Sequence, residues 1–303
     1  MRFLLRCRRP RSSFAVVLLL GTTWLVIGLP HQATTQTLTW DPVAEGLSVT
    51  VWSPQTPCQD VPPLIAFDVD PDRYRFVVHH YQREGLLSPP DIRQWQKQTG
   101  HDLIFNAGLF REDFSYLGLL YANGRSIGGK RHPTWMGLFV AEPVDLTSRR
   151  AKVLDLAVDP FDEQRPGYQE AAQSLMLLDR TGKVRVRQTG KRAQQTILAE
   201  LGNGHVLLLK STDAVSLHAV GQCMRDTFPA VRQAMAMDGG SSSDVVLNAE
   251  TAQTAIKAGV LQPWLLQSGD NSTAHIGLPA VIGISPRRTV SANQVTPEKP
   301  TGR

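Results

Sequence analysis

The stretch AMAMDGGSSSDVVLN, residues 234–248, ends an apolar run on one carboxylate, Asp238, and follows it with Gly239, Gly240 and the hydroxyls of Ser241, Ser242 and Ser243. Paired glycines take positive φ at little steric cost, so the bend can aim consecutive N–H groups at one point, and the serines add donors. Such a loop suits a phosphate or a sugar rich in hydroxyls; the same composition also makes a plain polar hairpin tip. LIFNAGLF, residues 103–110, repeats the design with Asn106 and Gly108 at a strand end. A buried asparagine amide must have its hydrogen bonds satisfied, either by a ligand or by closing a turn on itself.

Other chemistries are weaker. GRSIGGKR, residues 124–131, nearly spells a P-loop, but Arg131 stands where a serine or threonine should meet magnesium and no helical pattern follows. DGGSSS lacks the spacing of a nucleophile elbow. DVDPD, residues 68–72, begins like a calcium loop but has no matching glycine or distal glutamate. No cysteine and histidine cluster has zinc spacing, so no metal and no cofactor is expected. Lys130, Arg131, His132 and Arg192 are candidate cations, of which Arg192 is the one kept. His79 and His80 would lie on opposite faces of a strand, so at most one faces a site.

The elements that must position these residues are mostly short strands. LSVTVW, LIAFDVD, YRFVVHHY, DLIFNAG, LGLLYA, WMGLFVA, SLMLLD, KVRVRQ, TILAEL, HVLLLK, QAMAMD, DVVLN and LPAVIGI read as strands, with Asn123-Gly124, Thr181-Gly182 and Asn203-Gly204 as turns between them. SPPDIRQWQKQTG predicts a helix capped by Ser88 and stopped by Gly100, with Ile92 and Trp95 on one face. A second helix is predicted from about Ser216 to Phe228, with Leu217, Val220, Met224 and Phe228 at helical spacing. Many hairpins and few helices predict an α+β fold: large mixed, mostly antiparallel sheets with a few flanking helices, in a single domain.

The N-terminus predicts export. MRFLLRCRRPR carries five arginines and no acid, and seventeen uncharged residues follow. That run fits either a cleaved signal peptide or an uncleaved membrane anchor over residues 1–30. A polar spacer (31–37), a folded domain (38–284) and a disordered tail (285–303) follow by composition. The formal charge of +5 is matched by the five N-terminal arginines, so the remainder is near neutral and no nucleic-acid partner is expected. Cys58 and Cys223 are the cysteines left to an oxidising compartment, either as one disulfide or as two thiols.

FNAGLF, LGLLYANGRSI, MGLFVA, AAQSLMLLDRTG, TILAELGNGHVLLL, AMAMDGGSSSDVVLN and LPAVIGI occur in an order that resembles the phosphodiester glycosidase family, across roughly residues 64–284. NAGLF followed about 130 residues later by MDGGSSS is the specific part. That family includes an enzyme that removes N-acetylglucosamine from a phosphodiester on mannose, and bacterial exported proteins associated with exopolysaccharide. The resemblance implies a hydrolase of sugar-1-phosphodiesters acting on envelope or extracellular polysaccharide in the periplasm, outside the cell or at the outer face of the membrane. It carries Asp238 and Asn106 over as catalytic residues, and Gly239, Gly240, Ser241, Ser242 and Ser174 as substrate-binding ones. Gln195 stands where the family usually has arginine, with Arg192 three residues earlier as the substitute. A carboxylate beside C1 stabilises an oxocarbenium-like transition state, whether as nucleophile, base or electrostatic partner, while donors and a cation hold the leaving phosphate. The alternative is a non-catalytic carbohydrate-binding protein with the same pocket, which Gln195 favours.

Overall fold

A computed structural model describes residues 38–257 and 275–287. The expected export segment, the spacer and the tail beyond residue 287 lie outside the described residues. In chain order the elements are β1 (Asp41–Ala44), β2 (Leu47–Trp52), β3 (Leu64–Val69), β4 (Tyr74–His80), α1 (Ile92–Thr99), β5 (Leu103–Asn106), β6 (Leu120–Ala122), β7 (Arg125–Ser126), β8 (Gly137–Pro143) and β9 (Ala151–Asp155). They continue as β10 (Tyr168–Leu178), β11 (Thr196–Leu201), β12 (Val206–Ser211), α2 (Leu217–Thr227), β13 (Val231–Ala236), β14 (Val245–Leu247), α3 (Ala249–Lys257) and β15 (Ala280–Pro286). Eleven strands form one sheet, whose main path is β1-β2-β3-β12-β11-β13-β10-β6-β7, with β8 pairing both β10 and β9; a second sheet has the order β14-β5-β15-β4. The fold is α+β with mostly antiparallel sheets, as the pattern of hairpins predicts.

The apolar runs are nearly continuous because the central strands are covered on both faces. Phe67, Leu198, Leu208 and Met235 of the large sheet meet Phe76, Phe105 and Ile282 of the small one. Their neighbours Ala66, Ile197, Leu209 and Ala236 point the other way, against Val220, Cys223 and Met224 of α2. Successive strand side chains alternate faces, so a strand packed on both sides must be apolar throughout. The outer face of the small sheet is closed by α1, whose Ile92 and Trp95 pack on Ile104 and Val281.

Several expectations change. α1 is capped by Asp91, which forms a capping box with Gln94, and not by Ser88; the two prolines after Ser88 hold that segment extended, so the first residue free to cap comes after them. Gly100 does end the helix, with φ +67°. KVRVRQ is not a strand: only Val184 bridges, to Leu178, while Arg185 reaches away to Asp155 (3.0 Å) and Asp179 (3.2 Å). β10 begins six residues before SLMLLD, because Glu170 and Gln173 are buried and satisfied by main-chain groups, a polar content that hides the strand. β15 runs through Pro286, and Arg287 makes a bidentate pair with Glu142 at 2.8 Å, past the expected end of the domain.

Two long-range links hold the layers. Cys58 and Cys223 form a disulfide, with Cα atoms 5.5 Å apart, that ties the segment after β2 to α2. At the free edge of the small sheet, the N–H groups of Phe76 and Val78 donate to the carboxylates of Glu142 (3.2 Å) and Glu170 (3.0 Å) of the large sheet. Burial pushes the Glu170 carboxyl up to about 7, against the two N–H donors that favour its ionised form.

Replacing Cys223 by serine is expected to lower unfolding free energy by about 2–4 kcal/mol in denaturant titrations. Because the Glu170 carboxyl is raised in the fold, its contribution is fully present below the ordinary glutamate range and is lost as pH rises through about 7. The melting temperature of Glu170→Gln should therefore climb relative to the parent between about pH 5 and pH 8; a pH-independent difference would contradict this assignment.

Candidate active site

Asn106 closes β5 and joins the two sheets at one point. Its main-chain N–H donates to the Asp244 carbonyl and its Oδ1 accepts the Asp244 N–H, both at 3.1 Å. Its Nδ2 donates to the Asp238 carbonyl at 2.8 Å and to the Ala107 carbonyl at 3.2 Å. The side chain is 1% exposed, so the whole amide is engaged by main chain and none of it faces a ligand. The loop from 238 to 244 is thereby clamped at both ends, with the Asp238 N–H donating to Ala107 as well.

Within that clamp Asp238 is half-buried, with Oδ1 accepting the Gly239 N–H at 2.9 Å and Ser242 adding a side-chain hydrogen bond. Burial raises its pKa; the bonds from Ser242 and Gly239 oppose the rise. Gly240 has φ +70° with open space where a Cβ would stand, and its N–H donates to the Gln194 carbonyl at 2.9 Å. The first two N–H groups of the bend are therefore used inside the protein, one on the carboxylate and one on β11's leading segment, instead of converging on a ligand. A short 3-10 turn, Gly240–Ser242, carries Ser241 outward and Ser242 inward.

Gly108 explains the glycine of the other motif. Its N–H donates to the Tyr116 hydroxyl (3.0 Å), which in turn donates to the Gln173 carbonyl (2.9 Å), and a Cβ there would lie 2.3 Å from the tyrosine oxygen. Burial pushes the Tyr116 phenol well above its usual range and the nearby Asp238 charge adds to this, so the hydroxyl stays neutral.

A second set of groups, not singled out from sequence, lies behind the loop. Asp244 pairs with His275 at 2.6 Å and interacts with Lys210, whose Nζ donates to Gln194 Oε1 at 2.9 Å. Burial pulls the Lys210 ammonium down to about 8, with Asp244 acting the other way. Ser243 and Thr196 share a hydroxyl contact of 2.8 Å. The available signal was a lysine closing the otherwise apolar run HVLLLK, and a second aspartate six residues after the first.

A cavity of about 650 Å³ opens beside the loop, bordered by Met237, Gly239 and Gln195. Its rim carries Arg185, Arg187, Lys191 and His218, and no aspartate or glutamate lines it. Arg185 is paired, whereas the exposed side chains of Arg187 and Lys191 have no partner among the described residues. Arg192 lies outside the lining and donates to the Ala214 carbonyl at 3.0 Å. Gln195 is buried and its amide donates to Ala193 (3.2 Å) and Val215 (3.4 Å) carbonyls. Ser174 is fully buried opposite Gly137, and its hydroxyl has no hydrogen-bond partner among the described residues. His79 contacts Glu84 and His101 on the outer side of the small sheet, whereas His80 is buried opposite Ala280, with its Nδ1 lacking a hydrogen-bond partner among the described residues. Arg131 pairs with Glu163, and His132 stacks on Trp135 with ring centroids 3.8 Å apart. Among the described residues no group of three or more His, Cys, Asp or Glu side chains is placed to hold a metal ion.

A family model described as phosphodiester glycosidase matches residues 99–276, more than half of the chain. Among solved structures, a Synechocystis protein superposes with a TM-score of 0.56 at 12% identity, covering 84% of this chain and 65% of its own, just under two thirds. The catalytic domain of zebrafish N-acetylglucosamine-1-phosphodiester alpha-N-acetylglucosaminidase, auto-inhibited by its pro-peptide, superposes with a TM-score of 0.53 at 14% identity, covering 84% of this chain and 86% of that one. These identities show likeness of fold. No curated protein matches the sequence.

Asn106→Ala leaves a buried carbonyl and a buried N–H without partners and should cost about 1–3 kcal/mol of unfolding free energy. Gly108→Ala forces Tyr116 off its hydrogen bonds and should destabilise by a similar amount. Chemical denaturation of both variants checks this; parent-like midpoints would show that the clamp is dispensable.

Proposed function

Because the chain belongs to the phosphodiester glycosidase family, we propose that it hydrolyses the bond between a sugar C1 and a phosphate oxygen, with Asp238 as the carboxylate facing C1. The observation that carries this reading is the position of Asp238: half-buried, tied by Gly239 and Ser242, and one residue from an acid-free cavity rim that holds two unpaired cations. As the C1–oxygen bond breaks and a water oxygen replaces it, positive charge builds near C1 and negative charge on the departing phosphate. A carboxylate already fixed by hydrogen bonds stabilises the first without having to reorganise. Arg187 and Lys191, which line the cavity and have no side-chain partner among the described residues, are the cations offered for the second; Arg192, bonded to Ala214, is not used in this reading.

Asn106 acts here as a positioning residue, because every polar atom of its side chain is held by main chain. Lys210, Asp244 and His275 brace the loop from behind. N-acetylglucosamine is the sugar to test first, given the name of the zebrafish neighbour. The arginine-rich, apolar N-terminus supports export and hence an envelope or secreted polysaccharide as the natural source. Among the described residues no helix is long and apolar enough to cross a membrane.

A second reading, glycan binding without turnover, is supported by Gln195 at the position where arginine was expected and by the direction of Arg192. Release of free sugar from an N-acetylglucosamine phosphodiester separates the two. Turnover should fall about a hundredfold or more in Asp238→Asn, and the acid limb of kcat/KM should lie above the ordinary aspartate range, because burial raises this carboxyl and it must lose its proton to act. Binding of the same ester with no turnover at any pH favours the glycan binder; full turnover by Asp238→Asn removes this carboxylate from the reaction.

A further inference from the structure

The cavity beside Gly239 is lined in part by polar side chains, Thr134, Gln195, Ser216 and His218 among them, and in part by an apolar set that a sugar would not use. Leu109, Trp135, Met136, Leu175, Val186 and Leu217 converge on it from separate parts of the chain: the segment after β5, the approach to β8, β10, the stretch after β10 and the start of α2. Each of these side chains is only partly buried by the protein. Apolar side chains left open to one concavity are uncommon on a protein surface unless a ligand or partner covers them. Five of the six are aliphatic or thioether, and sugar hydroxyls placed against them would lose their hydrogen bonds to water without replacement. The rim has the opposite character, with the unpaired Arg187 and Lys191 and no carboxylate. An apolar floor under a cationic, acid-free rim is complementary to an amphiphile whose single polar group is an anion.

The geometry points to the cavity as the site of the non-sugar half of the substrate, which is therefore a glycosyl-1-phosphodiester whose other alcohol is an alkyl or aryl group. This rests on the hydrolase reading above and extends it to substrate class. The sugar lies over Asp238 and the exposed turn at Gly240 and Ser241, the phosphate against Arg187 and Lys191, and the apolar alcohol on Leu175, Met136 and Leu217. In the reaction the C1–O bond breaks and water supplies the new C1–OH. The bond electrons leave with the phosphate oxygen, and the released proton goes to solvent. The second product is an alkyl phosphate monoester, which keeps all of its contacts with the cavity and should bind after turnover.

That product gives a test that needs no catalysis. The full chain is titrated calorimetrically with octyl phosphate, inorganic phosphate and octyl glucoside, each below micelle-forming concentration. Octyl phosphate should bind about tenfold or more tightly than either of the others, since burying about two methylene groups already accounts for a factor of that size. The preference should disappear in Leu175→Glu and in the surface double variant Arg187→Ala/Lys191→Ala, with folding of both checked by circular dichroism. Equal binding of inorganic phosphate would reduce the site to an anion patch, equal binding of octyl glucoside would show unspecific detergent uptake, and parent-like binding by both variants would place the ligand elsewhere; each overturns the proposal. Turnover of octyl against methyl N-acetylglucosamine phosphodiester completes the test. Octyl phosphate binding without turnover of either ester retains the cavity assignment and removes the hydrolase. Equal turnover of both esters with no octyl phosphate preference retains the hydrolase and removes the cavity assignment.

Discussion

The site depends on one primary amide. Asn106 ends a strand of the small sheet, and its side chain holds the main chain of Asp238, which follows a strand of the large sheet, and of Asp244 at the far end of the intervening loop. An amide has a fixed plane with an acceptor on one side and donors on the other, so satisfying all of it fixes both loop ends together. Buried at 1% exposure, it has no water to turn to, and any displacement of the loop leaves polar atoms without partners. The position of the Asp238 carboxylate follows from this constraint, refined by the Gly239 N–H and by Ser242.

Around that point the protein divides its work between regular and irregular structure. The doubly covered strands give a rigid floor, and several polar groups placed among them are satisfied by main chain from other segments, as with Glu142 and Glu170 on the edge of β4 and Gln173 beneath the approach to β8. The stretch 184–191 is joined to β10 by a single bridge, to Leu178. It nevertheless supplies much of the cavity's basic rim, because the ion pairs of Arg185 hold its start and leave Arg187 and Lys191 directed at the opening. Chemistry on a fixed strand end and recognition on a loosely paired wall is an arrangement in which substrate preference can change without disturbing the carboxylate.

The parts legible in the sequence were those set by near neighbours. The apolar runs of β3, β11, β12 and β13 and the Asn123-Gly124 turn, with φ +49° and +71°, depend on contacts within a few residues or on simple coverage of both faces. The glycines of both motifs were visible as glycines, but Gly108 is needed for the approach of a tyrosine eight residues on, which spacing does not disclose. Where a local signal was ambiguous it misled: KVRVRQ alternates as a strand should, yet its arginine is drawn to two carboxylates and its pairing with β10 stops at a single bridge. Arg192 is close to Gln195 in sequence, yet its guanidinium is bonded to Ala214 and is not among the groups lining the cavity.

The sequence by itself determined the α+β class, the strand ends that carry Asn106 and Asp238, and the family resemblance built on them, because periodicity and turn chemistry are short-range properties of the chain. Tertiary structure decided which groups meet. The pairing of Cys58 with Cys223, the contact between Asn106 and Asp238 across 132 positions, the bracing of the loop by Lys210, Asp244 and His275, and the apolar cavity with its cationic rim all arise from sheet register and from the packing of one sheet on the other. Register fixes which side chains stand opposite one another, and a slip of one residue would exchange the faces on which they lie.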